Sequence, residues 1–162
     1  MTGVVTLGVL SDTHLYRQAV PARVLRALQG VDLILHAGDI CEMAVLEELE
    51  KVAPVRAVVG NMDMDDVREA LPEKTVVEAA GFRIGLIHGS GGPQNMTSRV
   101  GKEFEEVDAI VFGHTHQAYN REEEGVFFFN PGSPTDKVFA PYRSLGILEL
   151  GSGIAGRIIM LE

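Results

Sequence analysis

Five short apolar runs, rich in Val, Ile and Leu, recur along the chain, and each is followed by a short polar segment. The runs are Val4 to Leu10, Val31 to Leu35, Val55 to Val59, Phe82 to Ile87 and Ala109 to Phe112. Their length and composition are typical of buried strands, because a strand in a sheet covered on both faces carries apolar side chains on both. The chain is therefore predicted to form an α/β fold.

Segments with helical spacing separate these runs: Pro21 to Leu28, Glu42 to Lys51, Asp65 to Leu71 and Ser98 to Glu106. The β-α-β-α-β order of the first part predicts parallel pairing through right-handed crossovers. Four further strands are expected at Thr75 to Glu78, Val126 to Asn130, Ser144 to Leu150 and Ile154 to Leu161. We predict a four-layer α-β-β-α sandwich of two mixed sheets, in one domain that spans residues 1–162.

Charge and composition exclude several classes of protein. The net charge of −9 argues against binding to duplex nucleic acid, which depends on Lys and Arg replacing counterions. No apolar stretch approaches the roughly 20 residues of a membrane-spanning helix, and the first residues lack the positive segment of a secretory signal. The single cysteine, Cys41, cannot form a disulfide within the chain and is expected to be a small buried residue. These features predict a cytoplasmic protein without membrane association.

The polar segments after the five runs hold every histidine of the chain. They contribute Asp12, His14, His36, Asp39, Asn61, His88, His114 and His116, in that order. Because ligands bind outside the carboxyl ends of strands in α/β sheets, we expect these side chains to converge. Taken singly, an Asp could cap a helix, a His could be a structural residue and Asn61 could occupy a turn. Their joint placement favours a metal centre.

Seven of these side chains, all except His36, have the composition of a metal-ligand set. Seven ligands are too many for one tetrahedral zinc ion but suit two ions that share one carboxylate. Oxygen and imidazole ligands without thiolate fit Mn, Fe, Zn, Co or Ni. Among these metals, the ligand types alone set no order between Mn and Zn or Fe.

The spacing of these residues resembles the calcineurin-like metallophosphoesterase superfamily, and the small YfcE-type phosphodiesterases in particular. The motifs DxH, GD, GN, H and GHxH stand here at Asp12 to His14, Gly38-Asp39, Gly60-Asn61, His88 and Gly113 to His116. The resemblance implies two divalent metal ions, with Mn as the first choice and Fe, Zn, Ni or Co as alternatives. One ion would take Asp12, His14, Asp39 and His116, and the other Asp39, Asn61, His88 and His114. Asp39 would bridge, a metal-bridging hydroxide would attack phosphorus, and Asp39, Asn61 and His88 are the expected catalytic residues.

One position departs from the wider superfamily. Many members have a histidine directly after the GN motif, and the resemblance gives it the role of stabilising the phosphate or protonating the leaving group. Met62 stands at this position in the present chain. Losing a general acid typically costs a factor of about 10² to 10⁴, so diesters or activated esters are favoured as substrates. His36 is expected to orient a ligand, and Asn130 to shape the cleft with Pro131 to Ser133.

The leading hypothesis is therefore a phosphodiesterase that acts on a small phosphodiester. One alternative is a non-catalytic scaffold of the same fold, similar to a retromer subunit. The other alternative is a phosphomonoesterase or a nuclease for short oligonucleotides or cyclic nucleotides. The resemblance also suggests a homo-oligomer, either a dimer or a tetramer.

Overall fold

The computed structural model describes residues 3–161, which form ten strands and four helices. The strands are β1 (Val5–Leu10), β2 (Leu33–His36), β3 (Val55–Ala57), β4 (Lys74–Ala79), β5 (Phe82–Ile87), β6 (Ala109–Val111), β7 (Tyr119–Glu123), β8 (Val126–Asn130), β9 (Ser144–Leu150) and β10 (Ile154–Met160). The helices are α1 (Ala22–Ala27), α2 (Met43–Glu50), α3 (Asp65–Ala70) and α4 (Met96–Gly101). Met1, Thr2 and Glu162, the ends of the predicted domain, lie outside the described residues.

The strands form two mixed five-stranded sheets, as predicted. The first has the order β10-β9-β1-β2-β3, in which β1, β2 and β3 are parallel and β9 is antiparallel to both of its neighbours. The second has the order β4-β5-β6-β8-β7, with β5, β6 and β8 parallel and antiparallel strands at both edges. Parallel strands thus occupy the middle of the second sheet and one side of the first, and their carboxyl ends carry the predicted site residues.

Three apolar clusters bind the layers together. Leu7 and Leu35 belong to the cluster between the two sheets, which also contains Ile84 and Phe129. Ile34, which points the other way from β2 because successive side chains of a strand alternate, packs with residues of α1 and α2. A third cluster joins α4 to the outer face of the second sheet. The order of layers is α-β-β-α, so the predicted fold is confirmed.

Two elements differ from the sequence prediction. The edge strand β7 was not predicted, because its residues are mostly polar and only Tyr119, which packs with the α4 cluster, is aromatic. Helix α4 was predicted at Ser98 to Glu106 but runs from Met96 to Gly101, and the apolar residues that follow it pack as an irregular segment. Neither difference moves a candidate site residue. Within residues 3–161, every helix is too short or too polar to cross a bilayer.

Candidate metal centre

The loops that follow β1, β2, β5 and β6 are hydrogen-bonded to one another at one edge of the sandwich. The Asp12 amide donates to the Gly38 carbonyl at 2.9 Å, and the Gly113 amide donates to the His88 carbonyl at 3.1 Å. The two sheets are linked directly, because the His114 amide donates to Asp12 Oδ2 at 2.9 Å. The structure therefore brings the predicted site residues of both sheets to one place.

The backbone of this region is strained. Five of the seven predicted ligand residues have a left-handed backbone, which non-glycine residues seldom adopt: φ is 56° at Asp12, 44° at His14, 58° at Asp39, 75° at His114 and 61° at His116. Each such residue costs on the order of 1–3 kcal/mol and persists only where its surroundings fix it. Strain concentrated on these residues supports a functional role for the loops rather than a role in folding.

Three side chains form the first group of ligand atoms. Asp12 Oδ1 lies 3.3 Å from His116 Nε2 and 3.7 Å from His14 Nε2. The two imidazole Nε2 atoms are 3.2 Å apart. The other oxygen of Asp12 accepts from the Ser11 hydroxyl at 2.6 Å, which fixes the carboxylate with Oδ1 directed at the two rings.

Asp39 lies between this group and a second one. Its Oδ2 is 3.3 Å from His14 Nε2 and also 3.3 Å from His88 Nε2. Asn61 Oδ1 is 3.0 Å from the same nitrogen of His88. The His114 ring packs edge-on against His88 with the centroids 5.2 Å apart. One carboxylate oxygen therefore faces ligand atoms on both sides, which is the arrangement that a bridging ligand requires.

The hydrogen bonds of the rings show that the site suits cations. His88 Nδ1 lies 2.7 Å from the Ala37 carbonyl, and because a carbonyl only accepts, this nitrogen carries the proton. In the neutral ring Nε2 then presents a lone pair to the oxygens of Asn61 and Asp39. Asp12 Oδ1 has no hydrogen-bond partner, the only such buried side-chain nitrogen or oxygen among residues 3–161. When the rings are neutral, their lone pairs and the carboxylate oxygens converge on one place, as a site for divalent metal ions requires.

The carboxylates and imidazoles of the candidate centre shift one another's pKa values. The neighbouring Asp12 carboxylate raises the pKa of His116 to about 9 against the effect of burial, and Asp136 adds to the rise. Burial alone would lower the pKa of His88, but Asp39 and Asp12 outweigh it and raise that pKa. Burial opposes ionisation of Asp12 and Asp39, yet the surrounding imidazoles hold both pKa values below their ordinary range. Protons and a divalent cation would compete for the same nitrogens.

A buried carboxylate, Asp63, ties together the loops that carry two predicted ligands. Its oxygens accept from four backbone amides, those of Asp39 at 3.2 Å and of Ile40, Cys41 and Gly60 at 2.7 Å each. Cys41 is buried as predicted, and burial, with the charge of Asp63, raises the pKa of its thiol to about 11. The role of Asp63 was not predicted, although it follows Met62 in the third motif. It fixes the backbone on either side of the candidate centre.

Asp136, in the loop between β8 and β9, is a second residue that the sequence did not single out. Its Oδ2 accepts from His116 Nδ1 at 2.6 Å, which leaves His116 Nε2 directed at Asp12. The loop is anchored by Ser133, whose hydroxyl donates to the Asp12 carbonyl at 2.8 Å and accepts from the Asp136 amide at 3.0 Å. A carboxylate behind a ligand histidine fixes its tautomer and orientation. No motif marks Asp136, because its contact exists only in the folded chain.

The two residues expected beside the ligands are both fully buried. His36 Nδ1 accepts from the Gly38 amide at 3.1 Å, so Nε2 carries the proton and faces the Thr13 hydroxyl at 3.1 Å. Burial lowers the pKa of His36 to about 3, which keeps it neutral. Asn130 donates to the Gly113 carbonyl at 3.2 Å. Both residues hold the backbone of neighbouring motifs and have no exposed surface for substrate.

All of these loops lie within the part of the chain that is similar to known proteins. A family model described as the calcineurin-like phosphoesterase superfamily domain matches residues 5–153. A probable metallophosphoesterase of Methanothermobacter thermautotrophicus is 44% identical over 134 residues, which are 80% of this chain and 77% of that protein. A phosphodiesterase of Methanocaldococcus jannaschii is 25% identical over 140 residues, or 78% of this chain and 82% of that protein. The crystal structure of Vps29 from Entamoeba histolytica in complex with Zn²⁺ is 25% identical, has a TM-score of 0.72 and covers 96% of this chain and 99% of its own.

Proposed function

Since the chain belongs to the calcineurin-like phosphoesterase superfamily, we propose that it is a phosphodiesterase that depends on two divalent metal ions. The observation that carries the proposal is the position of Asp39. A single oxygen of this residue lies 3.3 Å from ligand nitrogens of both His14 and His88. Two groups of ligand atoms that share one carboxylate suit a dinuclear centre better than a single ion.

We assign the residues to the two ions as the family resemblance implies. One ion would be held by Asp12, His14, Asp39 and His116, and the other by Asp39, Asn61, His88 and His114. We propose Mn as the metal, following the family resemblance, with Fe, Zn, Ni or Co as alternatives. Oxygen and imidazole ligands without thiolate suit all five metals. Two such ions lower the pKa of a bound water, orient the phosphate and neutralise charge on the attacking and leaving oxygens.

The protein contributes the orientation of the ligand atoms. Asp39 Oδ1 accepts from the Met62 amide at 2.8 Å, which leaves Oδ2 directed between the two groups. Ala37 and Asp136 occupy the outer nitrogens of His88 and His116, so the inner nitrogens remain free to bind a cation. Rigid loops of this kind would hold the reacting phosphate in line without a movement of the backbone.

The preference for diesters rests on Met62. Its side chain is 57% exposed at the rim of the candidate centre, and a thioether cannot donate a proton to a leaving group. Without that acid, the metal ions alone would stabilise the leaving oxygen, and diesters or activated esters are favoured as substrates. The phosphodiesterase of Methanocaldococcus jannaschii, a relative over most of its length, supports the same substrate class.

Hydrolysis of bis-p-nitrophenyl phosphate by the Mn²⁺-loaded chain tests the proposal. We expect turnover that is lost on chelation and restored by Mn²⁺, and that falls at least 100-fold in Asp39→Asn and His88→Ala. Asp65→Asn, an exposed carboxylate of α3, is the matched control and should retain full activity. Turnover that survives both chelation and the two site substitutions would show that the chemistry does not depend on this centre.

A scaffold is the second candidate function, because the chain also shares its fold with Vps29. Val138 and Phe139, in the loop beside Asp136, are 78% and 81% exposed, and exposed apolar side chains are common at protein contacts. The two functions differ in a simple result. A scaffold would bind a protein partner stably and show no turnover on diesters, monoesters or short oligonucleotides, whereas the proposed enzyme would hydrolyse at least bis-p-nitrophenyl phosphate.

A further inference from the structure

A cavity of about 560 Å³ adjoins the candidate metal centre. Asn61 and His88, which belong to the second group of ligand atoms, form part of its wall. Residues of α3 and α4 and of the segments beside them, among them Arg68, Glu73 and Arg99, form much of the rest of the wall. A substrate whose phosphorus lies at the centre would therefore place one of its two ester substituents in this cavity.

Three cationic side chains line the cavity: Arg68, Arg99 and Lys102. Arg68 donates to the carbonyls of Asp63 at 2.8 Å and Asn61 at 2.7 Å. Arg99 donates to the carbonyls of the loop after β5, including Ser90 at 3.0 Å and Gln94 at 2.6 Å. Carbonyls fix the guanidinium groups but do not neutralise them.

None of the three cations forms an ion pair within the part of the chain that the structure describes. Two carboxylates, Glu73 and Glu103, also line the cavity. Glu103 is paired with Lys74 at 2.9 Å, which leaves Glu73 as the opposing charge. The lining of the cavity therefore carries a net positive charge, although the formal charge of the whole chain is −9. A local excess of cations in an acidic protein indicates a site for an anionic ligand.

We propose that this cavity binds a second phosphate group of the substrate, so that the preferred substrate is a small diester with an additional terminal phosphate, such as a phosphorylated dinucleotide. The inference rests on the proposed phosphodiesterase function, because it assigns the cavity to one substituent of the ester. Two preoriented guanidinium groups and an ammonium group match the charge and the acceptor oxygens of a phosphate. A neutral substituent would leave these cations without an anionic partner.

The test compares thymidylyl-thymidine with and without a terminal phosphate, using the full chain loaded with Mn²⁺. The phosphate is placed at the 5′ or the 3′ end, because the two ends lie on opposite sides of the reacting phosphorus. We expect kcat/KM to be up to about fivefold higher for one phosphorylated dinucleotide than for the unmodified one, as for a partly exposed ion-pair contact. A ratio near one for both ends would overturn the proposal.

Lys102 supplies the variant, because it is exposed and its side chain forms none of the hydrogen bonds or ion pairs described above. Lys102→Glu should reduce the preference to about one, and Lys102→Gln should give an intermediate value. Lys51→Glu makes the same charge change at an exposed lysine outside the cavity, and it should keep the full preference. A preference that persists in Lys102→Glu would place the phosphate elsewhere.

Binding separates this inference from the proposed function. Isothermal titration calorimetry on the Mn²⁺-loaded chain should show tighter binding of thymidine 3′,5′-bisphosphate than of thymidine 5′-monophosphate, and Lys102→Glu should remove the difference. Equal affinities in the wild type would refute the cavity assignment. Absence of turnover on every diester, together with the predicted binding difference, would refute the proposed reaction and leave the phosphate site standing.

Discussion

Replacement of Asp63 by asparagine tests how the candidate centre is held in place. The side chain is 4% exposed, and its two oxygens accept from the amides of Asp39, Ile40, Cys41 and Gly60. An asparagine has one acceptor oxygen, so it can serve only the two amides on one side. Its NH₂ group then faces the other two amides as a third donor.

The size of the effect follows from the two amides that lose their acceptor. A buried donor without a partner costs roughly 1–3 kcal/mol, and bonds to a charged group are stronger than average. Asp63→Asn should therefore lower the free energy of unfolding by about 3 kcal/mol or more. For a chain of this length, that corresponds to a fall in Tm of roughly 6–12 °C.

Thermal and urea unfolding of the metal-free protein measure this effect without a contribution from bound ions. Asp65→Asn changes the same charge two residues along the chain, on the exposed first turn of α3, and should cost less than about 1 kcal/mol. Because Asp63 bonds to the backbone on both sides of the centre, Asp63→Asn should also bind Mn²⁺ more weakly. Unfolding within 0.5 kcal/mol of the wild type would refute the proposed structural role.

Three further predictions concern single residues. The folded pKa of His36 is about 3 and the unfolded value about 6.5, so the unfolded chain gains a proton first as pH falls. The free energy of unfolding of the wild type should therefore fall relative to that of His36→Gln below pH 6.5, by up to about 1.4 kcal/mol per pH unit. Urea unfolding at a series of pH values measures both, and parallel pH dependences of the two proteins would contradict this. Asp136→Asn should weaken Mn²⁺ binding about 10- to 100-fold in calorimetry, and an affinity within twofold of the wild type would exclude the orienting role. Met62→His should raise turnover of glycerol phosphate by about 10², whereas no gain would show that Met62 does not limit monoester hydrolysis.

Buried strands were the part of the fold that local sequence could specify. Val, Ile and Leu cluster in β1, β5 and β9 because both of their faces are covered, and the predicted and observed strands nearly coincide. The edge strand β7 needs no apolar residues on two faces. It is held by antiparallel pairing with β8, to which it is joined by the turn at Glu124 and Gly125. Both turn residues have positive φ, 50° and 83°, so the glycine after a polar residue was the available signal for the hairpin.

The candidate ligands were visible in the sequence because they directly follow strands whose ends must meet. The supporting residues were not visible, because their partners lie far away along the chain. Asp136 contacts His116 across 20 residues and Ser133 contacts Asp12 across 121. Local propensity places a serine or aspartate of this kind in a turn, and only the assembled loops show which histidine or backbone carbonyl it serves.

Anomalous X-ray diffraction from crystals of the Mn²⁺-loaded protein tests the central claim most directly. The account predicts two manganese peaks per chain, one among Asp12, His14, Asp39 and His116 and one among Asp39, Asn61, His88 and His114. Metal–metal separation should be about 3.5–4 Å, with Asp39 in contact with both ions. A single peak, or two peaks of which neither contacts Asp39, would contradict the dinuclear centre on which the proposed function depends.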